Sequence, residues 1–239
     1  MNLTIDQGNT STKIAVFYND DLQYVARMEQ LTATAVETLF QQFSIDKVIV
    51  SSVADNKSLP LPYLSERVPV TLLNADTPLP IANCYGTPRT LGMDRLAACV
   101  GANYLRRDSN LLVVDLGTCI TFDVVDSQNR YLGGNISPGL QMRLQALHQF
   151  TQALPLVSLD EDNPVPVIGS NTLDAIRAGV VQAIVYEIEG YAKALASKYP
   201  NLSIFLTGGD SFYFERRVKS AIFANPNLLL IGLNRILNF

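Results

Sequence analysis

An apolar run ending in Asp-x-Gly and polar residues occurs twice, as Leu3-Thr4-Ile5-Asp6-Gln7-Gly8-Asn9-Thr10 and as Leu111-Leu112-Val113-Val114-Asp115-Leu116-Gly117-Thr118. A second apolar run follows each, Lys13 to Phe17 in the first and Ile120 to Val125 in the second, so the repeated unit is strand, turn, strand. A carboxylate at the end of a buried strand offers a metal ligand, and a turn of glycine and hydroxyl residues sets backbone N–H groups beside it. One copy alone is compatible with an ordinary hairpin on a glycine turn. The matched pair predicts two facing turns that grip a polyphosphate from both sides.

The segments around the two turns repeat as well. Residues 2 to 6, 12 to 18 and 22 to 29 read as a three-stranded meander, since each is short, rich in β-branched or aromatic residues, and bounded by Gly, Asn or Asp. Thr32 to Phe43 carries Ala35, Val36, Leu39, Phe40 and Phe43 at helical spacing, and Lys47 to Val53 reads as a buried strand. A further strand is expected at Val68 to Asn74, a proline-bearing loop at Thr77 to Pro88, and a helix at Leu91 to Arg106. The pattern then restarts, with strands at 111 to 116, 119 to 126 and 130 to 133 and a helix at Leu140 to Phe150. Leu173 to Ser197 has apolar residues at steps of three and four, which predicts a long helix with a wide apolar face. A strand at Ser203 to Leu206, a helix after Thr207-Gly208-Gly209-Asp210, and a final apolar run at Leu228 to Ile231 are expected to complete a second lobe. The predicted architecture is α/β, with lobes at residues 1–107 and 108–239 and a nucleotide cleft between them.

Composition narrows the function classes. With 239 residues, 48% hydrophobic and 17% charged, the chain is predicted to fold throughout. A net charge of −4 argues against a nucleic-acid backbone as partner, because such proteins present a basic face. Cys84, Cys99 and Cys119 are odd in number and lack C-x-x-C spacing, which suggests a reducing cytoplasm, no disulfide framework and no zinc site. Cys99 and Cys119 are expected to be small buried apolar groups, and His148, the single histidine, a packing or surface residue. No run is apolar enough to predict a membrane span, and the start of the chain lacks the pattern of an export signal.

Six elements in order carry a family resemblance that covers nearly the whole chain. They are Asp6 to Lys13, Gly92-Met93-Asp94-Arg95, Asp115-Leu116-Gly117-Thr118, Gly133 to Gly139, Gly169-Ser170-Asn171-Thr172 with Ala175, Ile176 and Gly179, and Thr207-Gly208-Gly209. The sequence resembles the superfamily of acetate and sugar kinases, Hsp70 and actin, and more narrowly the type III pantothenate kinases; Asn171 stands where that pattern has Ser. The resemblance implies two duplicated ribonuclease H-like lobes in an actin-like ATPase fold. It also implies transfer of the γ-phosphoryl group of ATP to pantothenate, the first step of coenzyme A synthesis, by a homodimer.

The residue types present suit that chemistry, which needs positioning and charge neutralisation more than covalent catalysis. The turn Asp6, Gln7, Gly8, Asn9, Thr10, Ser11 and Thr12 would supply N–H groups and hydroxyls to ATP, and Lys13 a cation; a solvated lysine at a strand start is the alternative for Lys13. Asp6 is expected to meet the Mg²⁺ carried by ATP, and the resemblance implies a monovalent cation, potassium or ammonium, at Asp115. Gly117 and Thr118 would complete the phosphate cradle, with Gly208 and Gly209 allowing close approach on the adenosine side. Gly92, Met93, Asp94 and Arg95 open a helix, whose N-terminus favours anions. Arg95 can grip the pantothenate carboxylate in bidentate fashion, while the resemblance together with this chemistry implies that Asp94 is the general base for the attacking hydroxyl, beyond the routine role of an Asp near a helix start. Tyr85 and Thr172 match substrate-side positions of the family; a loop aromatic and a helix N-cap are their structural alternatives.

Two other functions fit the same fold, since fold does not fix the acceptor. One is a phosphotransferase or phosphohydrolase with a different small substrate, against which Arg95 and Tyr85 favour a carboxylated acceptor. The other is a non-catalytic transcriptional accessory factor, which loss of Lys13 or Asp94 would favour; both are present.

Overall fold

The computed structural model describes residues 1–52, 59–159 and 164–239. Val53, expected at the end of a strand, lies outside the described residues. Most of the rest of the first half follows the sequence pattern. Strands β1 (Asn2–Gln7), β2 (Thr12–Tyr18) and β3 (Asp21–Met28) precede helix α1 (Ala33–Gln42) and strand β4 (Lys47–Ser52). Helix α2 (Leu61–Ser65) and strand β5 (Val70–Leu72) follow, then β6 (Ala82–Asn83), a 3-10 turn at Pro88–Thr90, and α3 (Met93–Leu105). The stretch expected to be loop thus contains a two-residue strand, because its amides pair with a neighbour far along the chain.

The second half holds β7 (Leu111–Leu116), β8 (Cys119–Val125), β9 (Arg130–Pro138), α4 (Leu140–Gln149), α5 (Thr172–Ala196), β10 (Ser203–Thr207), α6 (Ser211–Glu215), β11 (Ile222–Ala224) and α7 (Leu228–Leu237). The chain packs as two compact units. One comprises residues 1–108, 125–133 and 227–239, the other residues 109–124 and 134–226.

In the first unit the strand order is β3-β2-β1-β4-β5. Strand β2 runs antiparallel to β1 and to β3, while β4 runs parallel to β1 and to β5. Five of the six residues of β1 are buried, as a strand flanked on both sides and covered on both faces requires. In the second unit the order β9-β8-β7-β10-β11 reproduces the first, with β10 parallel to β7 and to β11. The duplication read from two Asp-x-Gly turns therefore extends to whole sheets. Each unit has its own core, built around Leu3, Ile5, Val36 and Val48 in the first and Leu112, Val114, Ile184 and Leu206 in the second.

The run Leu228 to Ile231, expected to close the second lobe, is instead the start of helix α7, which packs in the first unit against α3, β1 and β4. Two glycines allow this. A Cβ on Gly101 would collide with the carbonyl oxygen of Leu228, and one on Gly232 with that of Ala97, so the two helices cross with their backbones in contact. Asn2 Nδ2 donates to Asn234 Oδ1 at 2.8 Å, and Asn234 Nδ2 to the carbonyl of Asn19 at 2.8 Å, which satisfies buried amides at the foot of the helix.

Candidate active site

Register places the chemistry of the first turn. Residues directly opposite in a sheet share a face, so Asp6, paired with Lys13 on β2 and with Ser51 on β4, lies in one row with both. Lys13 in turn pairs with Arg27 on β3. The row Ser51, Asp6, Lys13, Arg27 therefore crosses four strands. Two cations side by side repel unless an anion lies between or above them, and Arg27 adds to the turn a positive charge that sequence reading missed. Only the strand alternation of β3, combined with its register, could have revealed it.

The turn itself is tight. Gly8 N–H donates to the carbonyl of Ser11 at 3.0 Å, and Ser11 Oγ accepts from Arg27 Nε at 2.9 Å. Asn9 and Thr10 are exposed, Asp6 and Lys13 half-buried, and Thr12 buried. Gln7 points away from this face. Its side chain is buried and its Oε1 accepts from Ser52 Oγ at 2.8 Å, so what it presents to a ligand is backbone.

A second group gathers at the start of α3 in the same unit. Gly92 is the N-cap, Met93 and Asp94 occupy the first turn, and Asp94 Oδ1 accepts from the Arg95 N–H at 2.8 Å. A Cβ on Gly92 would collide with that same Oδ1, so the glycine is what lets the carboxylate fold back over the helix end. Arg95 is 7% exposed, and its guanidinium carbon lies 5.9 Å from the centre of the Tyr85 ring, within the range of a cation–π contact. Tyr85 and Arg95, distant in sequence, are brought together. A buried guanidinium facing a half-buried aromatic is suited to hold a small carboxylate bidentately.

In the second unit Asp115 ends β7 in register with Thr207 of β10. A Cβ on Gly117 would stand 3.3 Å from Asp115 Oδ1, and one on Gly208 would stand 2.5 Å from Oδ1 and 2.5 Å from the Leu116 carbonyl oxygen. Gly208 has φ +90°, where a side chain is strained in any case. Two glycines thus leave room around a carboxylate and a carbonyl, an all-oxygen cradle of the kind hard cations take. Gly208 serves this cradle, and Gly209 lines the adjacent cavity of about 250 Å³ formed with Leu140, Asp210, Phe212, Tyr213 and Arg216. Thr118 is exposed at the turn, and Gly139 packs so closely that a Cβ would strike the carbonyls of Gly117 and Thr118. Among the described residues no group of three or more His, Cys, Asp or Glu side chains is placed to hold a metal ion.

Thr172 is exposed at the first position of α5. The N-cap is not Thr172 but Asn171, whose Oδ1 accepts from the Asp174 N–H at 3.0 Å and whose Nδ2 donates to Asp174 Oδ2 at 2.6 Å. The substitution of Asn for Ser at this position keeps the cap, since both residues supply the accepting oxygen. Cys119, expected to be buried, is exposed at the start of β8, while Cys99 is buried in α3 as expected. His148 is exposed on α4, with Nδ1 2.8 Å from the Leu154 carbonyl.

A family model described as type III pantothenate kinase matches residues 2–194. A type III pantothenate kinase of Bacteroides fragilis is 48% identical over 240 residues, covering 100% of this chain and 98% of that protein. Among solved structures, a Campylobacter jejuni protein described as a candidate Baf-family transcriptional activator superposes with a TM-score of 0.66 at 22% identity, covering 99% of this chain and 97% of that one. A candidate sugar kinase from Cytophaga hutchinsonii gives 0.54 at 15% identity, with both chains fully covered. These likenesses to solved structures carry the fold alone, a duplicated α/β architecture.

Proposed function

The chain belongs to the type III pantothenate kinase family, and from that premise we propose that it transfers the γ-phosphoryl group of ATP to the primary hydroxyl of pantothenate, forming 4'-phosphopantothenate. This is the first step of coenzyme A biosynthesis. The observation that carries the reading is the start of α3, where one helix end presents a carboxylate, Asp94, beside a buried guanidinium, Arg95, that faces Tyr85. The pair fits an acceptor with a hydroxyl at one end and a carboxylate at the other.

In this mechanism Arg95, Tyr85 and the N–H groups of Gly92 and Met93 hold pantothenate, with Thr172 as a further contact. The turn from Asp6 to Lys13 in the first unit and the turn at Thr118 in the second would each offer contacts to the triphosphate, and Lys13 neutralises charge that spreads over the transferred oxygens. The pantothenate hydroxyl oxygen bonds to the γ-phosphorus, the bond to the β–γ bridging oxygen breaks, ADP leaves, and Asp94 takes the hydroxyl proton. Mg²⁺ bound to ATP would meet Asp6, and potassium or ammonium would lie in the oxygen cradle at Asp115, where each supplies positive charge to the phosphates. With Asp6 as a single protein carboxylate, Mg²⁺ would be held mainly by the nucleotide it arrives with.

The exposed apolar residues of the second unit, among them Ile136, Met142, Ile168, Leu173 and Tyr186, support a homodimer formed through this half of the chain. Among the described residues no helix is long and apolar enough to cross a membrane, and we place the enzyme in the cytoplasm, without nucleic-acid or membrane partners. The deciding experiment is a phosphoryl-transfer assay with ATP, Mg²⁺ and K⁺, offering pantothenate beside glycerol, acetate and hexoses. Selective turnover of pantothenate is expected. Turnover of another acceptor, or ATP binding with no transfer at all, refutes the proposal.

A further inference from the structure

Tyr85 does not hold its own position. The residue follows β6, which pairs with the start of β9 in the register Ala82 with Arg130 and Asn83 with Tyr131. Two amides fasten this short strand, Ala82 N–H to the carbonyl of Asn129 and Cys84 N–H to the carbonyl of Tyr131, each at 2.9 Å. The next amide, that of Tyr85, donates to Asn83 Oδ1 at 3.0 Å and closes an Asx turn. Beneath the ring lies Tyr131, fully buried, with ring centres 6.1 Å apart and planes inclined by 57°. Gly133 completes the seat, since a Cβ built there would touch the Tyr85 ring at 3.6 and 3.7 Å, and its φ of +127° is one that side chains rarely adopt.

We propose that Tyr131 and Asn83 are positioning residues of the acceptor site: they hold the Tyr85 ring at the angle from which it faces the Arg95 guanidinium, and so set the affinity for the acceptor's carboxylate. The inference rests on the pantothenate reading of that site. A guanidinium grips a carboxylate well only if its plane is fixed before the ligand arrives, because each rotamer frozen on binding weakens it. Arg95 is fixed on one side by the Tyr85 ring, and that ring is fixed by two supports that touch neither substrate. The inclined ring of Tyr131 is in the range of an aromatic pair, which favours one tilt of Tyr85 over others. The Asx turn removes the rotation of the backbone that would otherwise swing Tyr85 outward.

The test is steady-state kinetics on Tyr131→Leu, Tyr131→Phe and Asn83→Ala, with pantothenate and ATP varied in turn. Loss of a cation–π support predicts a KM for pantothenate raised roughly 3- to 30-fold in Tyr131→Leu and Asn83→Ala. KM for ATP and kcat should stay within about twofold, the signature of lost binding that the ground and transition states shared equally. Tyr131→Phe keeps the ring and should restore the wild-type KM. Asn83 is only half-buried, so its variant decides the matter if Tyr131→Leu fails to fold. Unchanged KM for pantothenate in Asn83→Ala, or a parallel fall in kcat and ATP affinity, overturns this assignment while wild-type turnover keeps the function intact. A wild-type enzyme that ignores pantothenate overturns both.

Discussion

The carboxylate of Asp94 and the missing side chain of Gly92 act as one feature. Asp94→Asn keeps the shape and removes the proton acceptor, so kcat should fall by ~10²- to 10⁴-fold, while calorimetry should still detect ATP binding. Gly92→Ala leaves the carboxylate in place chemically but drives it off the Arg95 N–H, because the new methyl occupies the position of Oδ1. Misplacement on the scale of an ångström costs up to ~10²-fold, so this variant should lose kcat with its melting temperature nearly unchanged. Turnover near wild type in Gly92→Ala would show that the folded-back carboxylate is not the reactive one. The helix start at Gly92 and the two Asp-x-Gly turns were legible in sequence because their form is set by adjacent residues. Arg27 was not, since it joins Lys13 only through the register of β2 with β3; Gly208 was read for close approach on the adenosine side, but not for its place against Asp115, since that carboxylate lies on another strand.

Among the elements, the turn between β8 and β9 accepts the Ala82 N–H of the short strand before Tyr85 at Asn129, and the Asp126 carboxylate gathers the hydrogen bonds of that turn. Burial raises the pKa of Asp126, but the hydrogen bonds from the Arg130 side chain and from the N–H groups of Arg130 and Gln128 outweigh it and hold the group below its ordinary 3.8. A carboxyl depressed in the folded state adds stability that is full above its unfolded pKa and disappears as pH falls through the folded one. Melting temperature should therefore decline below about pH 4. Asp126→Asn should remove that part of the acid sensitivity and cost ~1 to 3 kcal/mol at neutral pH, or roughly 2 to 10 °C. An acid limb identical in wild type and variant would exclude Asp126 as its source. A second expectation concerns the crossing of α3 and α7. Gly232→Val would force apart backbones already in contact, and thermal melts should show a loss of at least ~3 kcal/mol or an insoluble protein. Alternating strands were readable because one periodicity decides them. The run Leu228 to Ile231 was not, as four apolar residues in a row suit a buried strand or a buried helix equally, and only the small residues of α3 choose between them.

For the molecule as a whole, the apolar surface of the second unit predicts a dimer. Light scattering at micromolar concentration should give twice the chain mass, and Tyr186→Asp, which sets a charge on an exposed face of α5, should shift the population to monomer. An active monomeric wild type would refute that assembly. Helix α7 carries a different consequence, one of timing. Because synthesis proceeds from the N-terminus, α3 leaves the ribosome on the order of ten seconds before α7 is made. Through that interval its glycine-lined flank is uncovered, and the first unit waits for its last helix while the residues between them are translated. Nascent chains stalled before Leu228 should accordingly be protected from protease in the second unit earlier than in the first, so that the part begun first is finished last.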